Sequence, residues 1–221
     1  MLLLAVDTST EQGSVALWEG ERLLAEVSLV LPGAYLTHLL PEVEALLART
    51  GRTLPQVRAL AVSRGPGNFT GLRIGLATVK TLAFALNLPV AAVSTLEVAA
   101  ARLPFCPEPV AVLVDAKRRE LYFGVFCCRG ETPEPLGDPE RLPVGQLPAR
   151  LRPPLILTGP GLSTYEAFLR PLLPPGTLLA PPEVRHPQAA TLARLARERL
   201  ARGQTTAPGE LLPTYFRPAL E

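Results

Sequence analysis

The glycine-rich segment at residues 65–71 is the part of this chain best suited to binding a phosphate group. Glycine lets a backbone approach a ligand closely, and N–H groups at the start of a helix attract anions. However, the segment departs from the Gly-x-x-x-x-Gly-Lys-Ser/Thr loop, because no lysine follows the glycine in that register. We therefore favour a structural turn that leads into a packed helix, and we keep the phosphate-binding loop as the alternative.

The remaining polar residues offer little support for metal binding or covalent catalysis. The chain has two histidines, His38 and His186. Ala34 and Glu42 occupy the positions four residues from His38, so no second imidazole faces the same metal ion. His186 lies in the proline-rich segment 181–187, where we expect an exposed loop. Without a His pair, a Cys–His pair or a serine elbow, we predict no catalytic residue and no metal site.

The composition is that of a globular protein. Of its 221 residues, 48% are hydrophobic and 19% are charged, and the formal net charge is +2. A dedicated nucleic-acid binder usually has a pronounced basic patch, so we expect any RNA contact to be shared or indirect. The three cysteines form no metal motif, and we expect them to be buried and reduced.

Two apolar stretches bear on targeting. Residues 2–6 are too short for a signal peptide and have no basic leader. The longest uncharged stretch, residues 81–96, contains Asn87 and Pro89 and falls short of a membrane span. We therefore predict a cytoplasmic protein with no membrane association.

The glycine-rich segment is predicted to lead into a helix over residues 71–87. Either Asn68 or Thr70 can cap its N-terminus. The charges on this helix are Arg73 and Lys80, both on one flank. A helix without a solvated charged face is buried on nearly all sides, so we expect a second protein surface to cover it.

Hydrophobic periodicity predicts a mixed α/β layer architecture. A meander of three strands is followed by alternating helices and strands, and the proline-rich residues 131–154 are expected to be loop or irregular extended chain. The predicted strands lie at residues 2–6, 14–18, 23–29, 59–63, 90–93, 110–115, 120–128 and 155–158. The predicted helices lie at residues 36–50, 71–87, 96–103, 162–169 and 188–202.

A proline-rich linker divides the chain into two predicted domains. Residues 104–109 read PFCPEP, which separates an N-terminal domain at 1–103 from a C-terminal domain at 104–221. The apolar run that ends at Asp115 repeats the run that ends at Asp7. This weak internal repeat suggests a duplicated fold whose second copy has eroded.

Residues 65–77 read GPGNFTGLRIGLA, and this string resembles the sequence signature of the TsaB (YeaZ) family. The similarity continues at four other places, which are residues 4–10, 38–41, 115–117 and 213–217. It is dense only in the first half of the chain.

The resemblance implies an actin/Hsp70-like (ASKHA) fold with an intact N-terminal lobe and a reduced C-terminal lobe. In that superfamily an Asp and a hydroxyl-bearing turn after the first strand lie near the nucleotide phosphates and their metal, and Asp7, Thr8, Ser9 and Thr10 match that position. The alternative, which we favour, is a turn whose side chains satisfy local backbone amides. The second lobe lacks a full glycine-rich loop. We therefore expect no cofactor, and weak or absent ATP binding by the isolated chain.

The resemblance also implies a function. TsaB supports the catalytic subunit TsaD in N6-threonylcarbamoyladenosine modification of tRNAs that read codons beginning with A, and a TsaE ATPase completes the complex. TsaD carries two metal-binding histidines on the helix where this chain has only His38. We therefore expect a non-catalytic scaffold or activator that meets tRNA only through the complex. The alternatives are an ATP-dependent phosphotransferase or ATPase of the same superfamily and an endopeptidase, and the absent His pair argues against the latter.

The helices at 36–50 and 71–87 are expected to bind the TsaD-like subunit, and to pair two copies of this chain when that subunit is absent. An exposed apolar patch of this size is a liability that such pairing would cover. We expect Leu76→Glu and Val79→Glu to leave the fold intact and to break this interface. The predicted interface residues are Leu36, Leu39, Leu40, Val43, Leu72, Arg73, Leu76, Val79, Lys80 and Ala83.

Overall fold

The apolar runs of the sequence form the strands of two mixed β-sheets. The computed structural model describes residues 1–30 and 35–214. Its strands are β1 (Leu2–Asp7), β2 (Gln12–Glu19), β3 (Arg22–Val30), β4 (Ala59–Ser63), β5 (Val90–Val93), β6 (Val110–Lys117), β7 (Glu120–Cys127), β8 (Glu134–Pro135), β9 (Glu140–Pro143), β10 (Leu155–Thr158) and β11 (Thr177–Leu179).

In the described residues, every helix but one begins and ends within three residues of its predicted bounds. They are α1 (Tyr35–Arg49), α2 (Phe69–Leu86), α3 (Thr95–Ala100), α4 (Leu147–Arg150), α5 (Pro160–Leu169) and α6 (Ala189–Ala201). The region predicted as loop at 131–154 instead contains β8, β9 and α4. These pieces are two to four residues long, too short to leave a periodic pattern.

The two sheets share one strand order. The first runs β3-β2-β1-β4-β5 and the second runs β8-β7-β6-β10-β11, with β9 as a sixth strand that also pairs with β7. In each, an antiparallel meander is followed by two strands that pair in parallel. The weak internal repeat predicted from the sequence is therefore confirmed in the topology.

Each sheet belongs to a compact unit. The first unit comprises Met1–Thr95 and Gln188–Thr214, and the second comprises Leu96–Pro187. This division differs from the predicted boundary between residues 103 and 104, because a helix from each side of that boundary belongs to the unit on the other side. Helix α6 packs on the sheet of the first unit, whereas α3 joins the core under β6 and β7 in the second.

The core of the first unit lies between the sheet and the helices α1 and α2. Alternate residues of a strand face the same side, and one alternate set packs with both helices. This cluster includes Leu4, Val6, Val15, Leu60 and Val62 from the strands, Leu39, Val43 and Leu46 from α1, and Leu76, Val79 and Ala83 from α2. Helix α6 covers the opposite face, where Ala189 N donates a 2.8 Å hydrogen bond to Ser14 Oγ.

Helix α2 is long and apolar enough to cross a membrane by length and composition, and it is the one such helix in the described residues. Its contacts identify it as a core helix, because it packs on β4 and β1 of its own unit. Leu72 and Val79 are fully buried there.

Candidate functional site

Asp7 ends β1, and its carboxylate is fully buried. Oδ1 accepts hydrogen bonds from Ser9 N at 2.9 Å and from Ser9 Oγ at 2.7 Å. Oδ2 accepts one from Ser63 Oγ, at the end of the neighbouring parallel strand β4. One oxygen thus holds the turn that joins β1 to β2, and the other ties the end of β1 to the end of β4.

The same turn is attached to the N-terminus of α2. Thr8 Oγ1 donates a 2.7 Å hydrogen bond to Gly71 O, and Ser9 O accepts one of 2.7 Å from Asn68 N. Asn68 is the helix cap, since its side chain accepts from Gly71 N at 2.9 Å. Of the two predicted caps, Asn68 is therefore confirmed and Thr70 is not.

The glycines of the string at 65–77 make this attachment possible. A Cβ at Gly71 would overlap the carbonyl oxygen of Thr8, and one at Gly75 would overlap its hydroxyl. A Cβ at Gly67 would overlap the carbonyl oxygen of Ser9. Because the three glycines are four residues apart, they lie on the same side of this segment, and that side contacts the turn after β1. The geometry therefore favours the structural turn over the phosphate-binding loop.

Thr10 is anchored by Tyr35, a residue that the sequence did not single out. Tyr35 Oη donates a 2.8 Å hydrogen bond to Thr10 O, and its ring leaves no room for a Cβ at Gly13. Burial raises the pKa of the Tyr35 phenol, and the negative charges of Asp7 and Glu11 raise it further. All four nucleotide candidates, Asp7 to Thr10, are buried in this arrangement.

Ser63 was also missed, although a signal for it exists in the sequence. Parallel strands place their carboxyl ends at one edge of a sheet. The apolar runs that end at Asp7 and Ser63 are such a pair, so the hydroxyl could have been expected beside the carboxylate.

Six of the residues predicted to bind a partner lie instead in the core of the first unit. Their side chains are at most 6% exposed, because these faces of α1 and α2 cover the sheet. They cannot reach a partner while the unit stays folded. These residues are Leu39, Val43, Leu72, Leu76, Val79 and Ala83.

The exposed face of α2 carries a different set of residues. Phe84 is 85% exposed and Phe69 is 52% exposed. Arg73 and Lys80, both predicted interface residues, are also exposed. The Arg73 guanidinium lies 3.8 Å from the centroid of the Phe69 ring. The helix has no acidic residue, so this face is both aromatic and basic.

On α1, the two predicted interface residues that remain accessible are Leu36 and Leu40, at 78% and 49% exposed. The sequence analysis named these two leucines as interface residues but named neither phenylalanine of α2. Helix α2 has no acidic residue that would mark its solvent-facing side, so its sequence does not show which of its apolar residues are exposed.

Comparisons with known proteins agree on one family. A family model described as TsaD, tRNA N6-adenosine threonylcarbamoyltransferase, matches residues 33–146. The TsaB protein of Escherichia coli K12, named for tRNA threonylcarbamoyladenosine biosynthesis, is 32% identical, with 98% of this chain and 95% of the relative covered. The solved structure of YeaZ from Pseudomonas aeruginosa is 35% identical with a TM-score of 0.83, covering 97% of this chain and 99% of that one.

The chain belongs to the TsaB (YeaZ) family.

The family membership and the repeated topology confirm the predicted α/β, actin/Hsp70-like fold. The ethanolamine utilization protein EutJ of Carboxydothermus hydrogenoformans shares this fold at a TM-score of 0.52 and 13% identity, covering 87% of this chain. In the second unit of this TsaB-family chain, the edge strands β8 and β11 have only two and three residues.

The second unit uses its own glycines in the same way as the first. Gly159 has φ +102°, and a Cβ there would overlap the carbonyl oxygen of Leu113 in β6. A Cβ at Gly161 would lie 3.0 Å from the carbonyl carbon of Leu113 and 3.0 Å from Leu121 Cδ2. These glycines let the start of α5 pack on β6, and Tyr165 Oη then donates a 3.0 Å hydrogen bond to Asp115 Oδ1.

His38 is exposed on α1 of this TsaB-family chain, one helical turn from Glu42. With Tyr35 these two residues line a shallow, partly open depression. Within residues 1–30 and 35–214, no group of three or more His, Cys, Asp or Glu side chains could hold a metal ion. His186 is half-buried, which corrects the prediction that it is an exposed loop residue. Ala34, the other position four residues away, lies outside the described residues, as do residues 215–217 of the C-terminal match.

Proposed function

We propose that this chain is a non-catalytic scaffold and activator of a TsaD-like catalytic subunit in N6-threonylcarbamoyladenosine modification of tRNAs that read codons beginning with A. Membership of the TsaB family supports the pathway. The observation that carries the scaffold role is the exposed aromatic and basic face of α2. We name it the α2 face and define it by Phe69, Arg73, Lys80 and Phe84.

The α2 face has the composition of a protein interface. Aromatic residues and Arg are enriched at such interfaces, whereas a solvated helix face usually carries charges of both signs. Leu36 and Leu40 add exposed apolar surface on the neighbouring helix α1. The complementary partner surface is therefore apolar with acidic residues, and in this proposal the TsaD-like subunit supplies it. A second copy of this chain occupies the same face when that subunit is absent.

The non-catalytic assignment rests on the state of Asp7. Its oxygens accept two hydrogen bonds from Ser9 within the turn and one from Ser63 of β4, and it is fully buried. A carboxylate that is to position a nucleotide-bound metal would have to give up this arrangement. We therefore propose weak or absent ATP binding by the isolated chain. The phosphotransferase or ATPase alternative predicts a micromolar dissociation constant for Mg-ATP in calorimetry, abolished by Asp7→Ala in a variant that remains folded.

In this proposal a TsaE-like ATPase joins the assembly, and tRNA is bound in the complex rather than by the isolated chain. We also propose that the complex acts in the cytoplasm, away from a membrane.

The test is reconstitution from purified subunits with the Phe84→Glu variant. Phe84 is exposed, so the variant should fold like the wild type. Leaving a charge unpaired in the interface costs about 2–5 kcal/mol, which corresponds to roughly 30-fold or more in affinity for the TsaD-like subunit. Loss of binding, loss of tRNA modification and a monomeric chain in sedimentation would support the proposal.

Leu136→Glu is the matched control. Leu136 is a leucine of the second unit with 56% of its surface exposed. The Leu136→Glu variant should bind the TsaD-like subunit and support tRNA modification as the wild type does. A folded Phe84→Glu variant with unchanged affinity for the TsaD-like subunit would overturn the interface assignment.

A further inference from the structure

Three cationic residues lie consecutively in the left-handed region of backbone space. Lys117, Arg118 and Arg119 have φ values of +64°, +53° and +62°. Lys117 ends β6 and the two arginines form the turn to β7; we name the three residues together the basic turn. Left-handed residues other than glycine are disfavoured sterically, and such outliers cluster at functional sites.

The fold holds the basic turn at both of its ends. Lys117 N donates a 2.8 Å hydrogen bond to Asp115 Oδ1, and the ammonium of Lys117 lies 3.0 Å from Asp115 Oδ2. Arg119 O accepts a 2.9 Å hydrogen bond from Val144 N. The turn is therefore a fixed platform for its side chains.

The charges of the basic turn are largely uncompensated. All three residues are exposed, and Asp115 pairs with Lys117. Within the described ranges, neither Arg118 nor Arg119 forms an ion pair. Three cations in one turn repel each other, so a polyanion that binds here gains electrostatic free energy by relieving that repulsion.

An exposed aromatic ring lies beside these cations. Phe168 of α5 is 41% exposed, and the Arg119 guanidinium lies 5.5 Å from the centroid of its ring. Cations beside an aromatic face are the combination that single-stranded nucleic acids require, because the cations bind phosphates while bases stack on the ring. An acidic protein segment would use the cations but has no need of the ring.

We propose that the basic turn and Phe168 form an RNA-contact site. Arg118 and Arg119 bind phosphodiester groups, and an unpaired base stacks on Phe168. The inference rests on the proposed function in one respect, since tRNA is the RNA expected there. A site with so few contacts is weak alone, which agrees with RNA binding that needs the assembled complex.

The test measures binding of a fluorescent, unmodified tRNA transcript of the class that reads codons beginning with A. It uses the full chain in complex with the TsaD-like subunit, at several salt concentrations. The variant is Arg118→Asn with Arg119→Asn, because asparagine tolerates positive φ and keeps the turn. The control is Arg22→Asn with Arg129→Asn, two exposed arginines without an ion pair in the described residues.

The arginine variant should weaken binding and lower the magnitude of the log–log salt slope by about 1.4–1.8, because two phosphate contacts are lost. Phe168→Ala should weaken binding several-fold and leave the slope unchanged, since stacking releases no counterions. The control should match the wild type. ATP, added so that its phosphate groups equal those of the transcript in concentration, should not displace the transcript if the site binds RNA.

Unchanged affinity and slope in the arginine variant would overturn the proposal while leaving the scaffold function intact, provided that the complex still forms. Loss of the TsaD-like subunit rather than of RNA would also overturn it, since the turn would then be a protein-docking site. Failure of the wild-type chain to bind that subunit contradicts the scaffold function instead. The same salt titration on the chain alone, at protein concentrations high enough to detect weak binding, then tests the RNA site, and an unchanged slope in the arginine variant overturns it.

Discussion

Thr8 and Gly71 are joined by a 2.7 Å hydrogen bond that links the turn after β1 to the first turn of α2, 63 residues further along the chain. The bond requires close backbone approach, which the missing side chains of Gly71 and Gly75 permit. The glycine-rich string that looked suited to phosphate is thus explained by packing within the first unit.

Gly75→Ala should destabilise the protein, although alanine normally favours a helix by about 1 kcal/mol over glycine. The new methyl group would overlap the Thr8 hydroxyl, and overpacking of this kind costs about 1–3 kcal/mol. Urea unfolding measures the change. In a Thr8→Ala background the same substitution should cost much less, since the overlapping atom is gone. Equal costs in both backgrounds would contradict this packing.

Asp7→Ala should lower the free energy of unfolding by about 2–4 kcal/mol, because three buried donors lose their acceptor. Asp7→Asn keeps one acceptor oxygen and should be milder. Chemical denaturation of the three proteins at neutral pH checks the order. If Asp7→Ala were as stable as the wild type, the carboxylate would have to be free for a ligand.

Tyr35→Phe tests a pH dependence. The variant should lose about 0.5–1.5 kcal/mol at pH 7, where the wild type has the Tyr35–Thr10 hydrogen bond. Because the pKa of Tyr35 is raised in the folded protein, the phenol ionises at a lower pH in the unfolded chain than in the folded one. The stability that this group contributes is therefore complete below pH 10 and falls as the pH rises above 10.

The stability gap between the wild type and Tyr35→Phe should therefore shrink by up to about 1.4 kcal/mol per pH unit above 10. The comparison cancels other groups, including Cys128, whose pKa burial raises to about 12. A gap that stays constant from pH 7 to 11 would show that Tyr35 is not buried as described.

Val79→Glu should now be expected to unfold the first unit, which corrects the expectation that it leaves the fold intact. Val79 is fully buried between α2 and the sheet, and an unpaired charge there costs about 3–5 kcal/mol. Phe84→Ala, on the exposed face of the same helix, should change stability by less than about 0.5 kcal/mol. Circular dichroism melting curves distinguish the two positions directly.

Arg118→Asn should stabilise the chain by about 0.5–1 kcal/mol, because asparagine adopts the left-handed region more easily than arginine does. Arg129→Asn, at an exposed position without a positive φ, should be neutral. Thermal unfolding of the two single variants measures the difference. An Arg118→Asn variant with lower stability would mean that the arginine side chain itself supports the turn.

Local sequence patterns were sufficient for most strands and helices of this protein. The run at residues 59–63 and the cap at Asn68 were predicted correctly, because apolar runs and cap residues act over a few residues. β11 was not predicted. It forms because Leu155–Thr158 offers it a parallel partner, and that pairing cannot be read from its own three residues.

The sequence misled most about which side of α2 is accessible. The lack of a charged face was taken to mean burial on nearly all sides, with the leucine stripe facing a partner. In the structure Leu72 and Leu76 are buried, and Leu76 packs with the strands, while small residues and two phenylalanines occupy the exposed side. An apolar stripe marks the strongest contact of a helix, and in a single chain that contact is usually the chain's own core.

Helix α6 has a consequence for synthesis on the ribosome. It packs against all five strands of the first sheet, whose last strand ends at Val93, yet it spans Ala189–Ala201. The N-terminal unit therefore lacks one covering layer until almost the whole chain has been translated. The second unit already has α3 when β10 and β11 emerge, so it can close first. The unit that is translated first is therefore completed last. Until α6 has been translated, one apolar face of the first sheet stays uncovered.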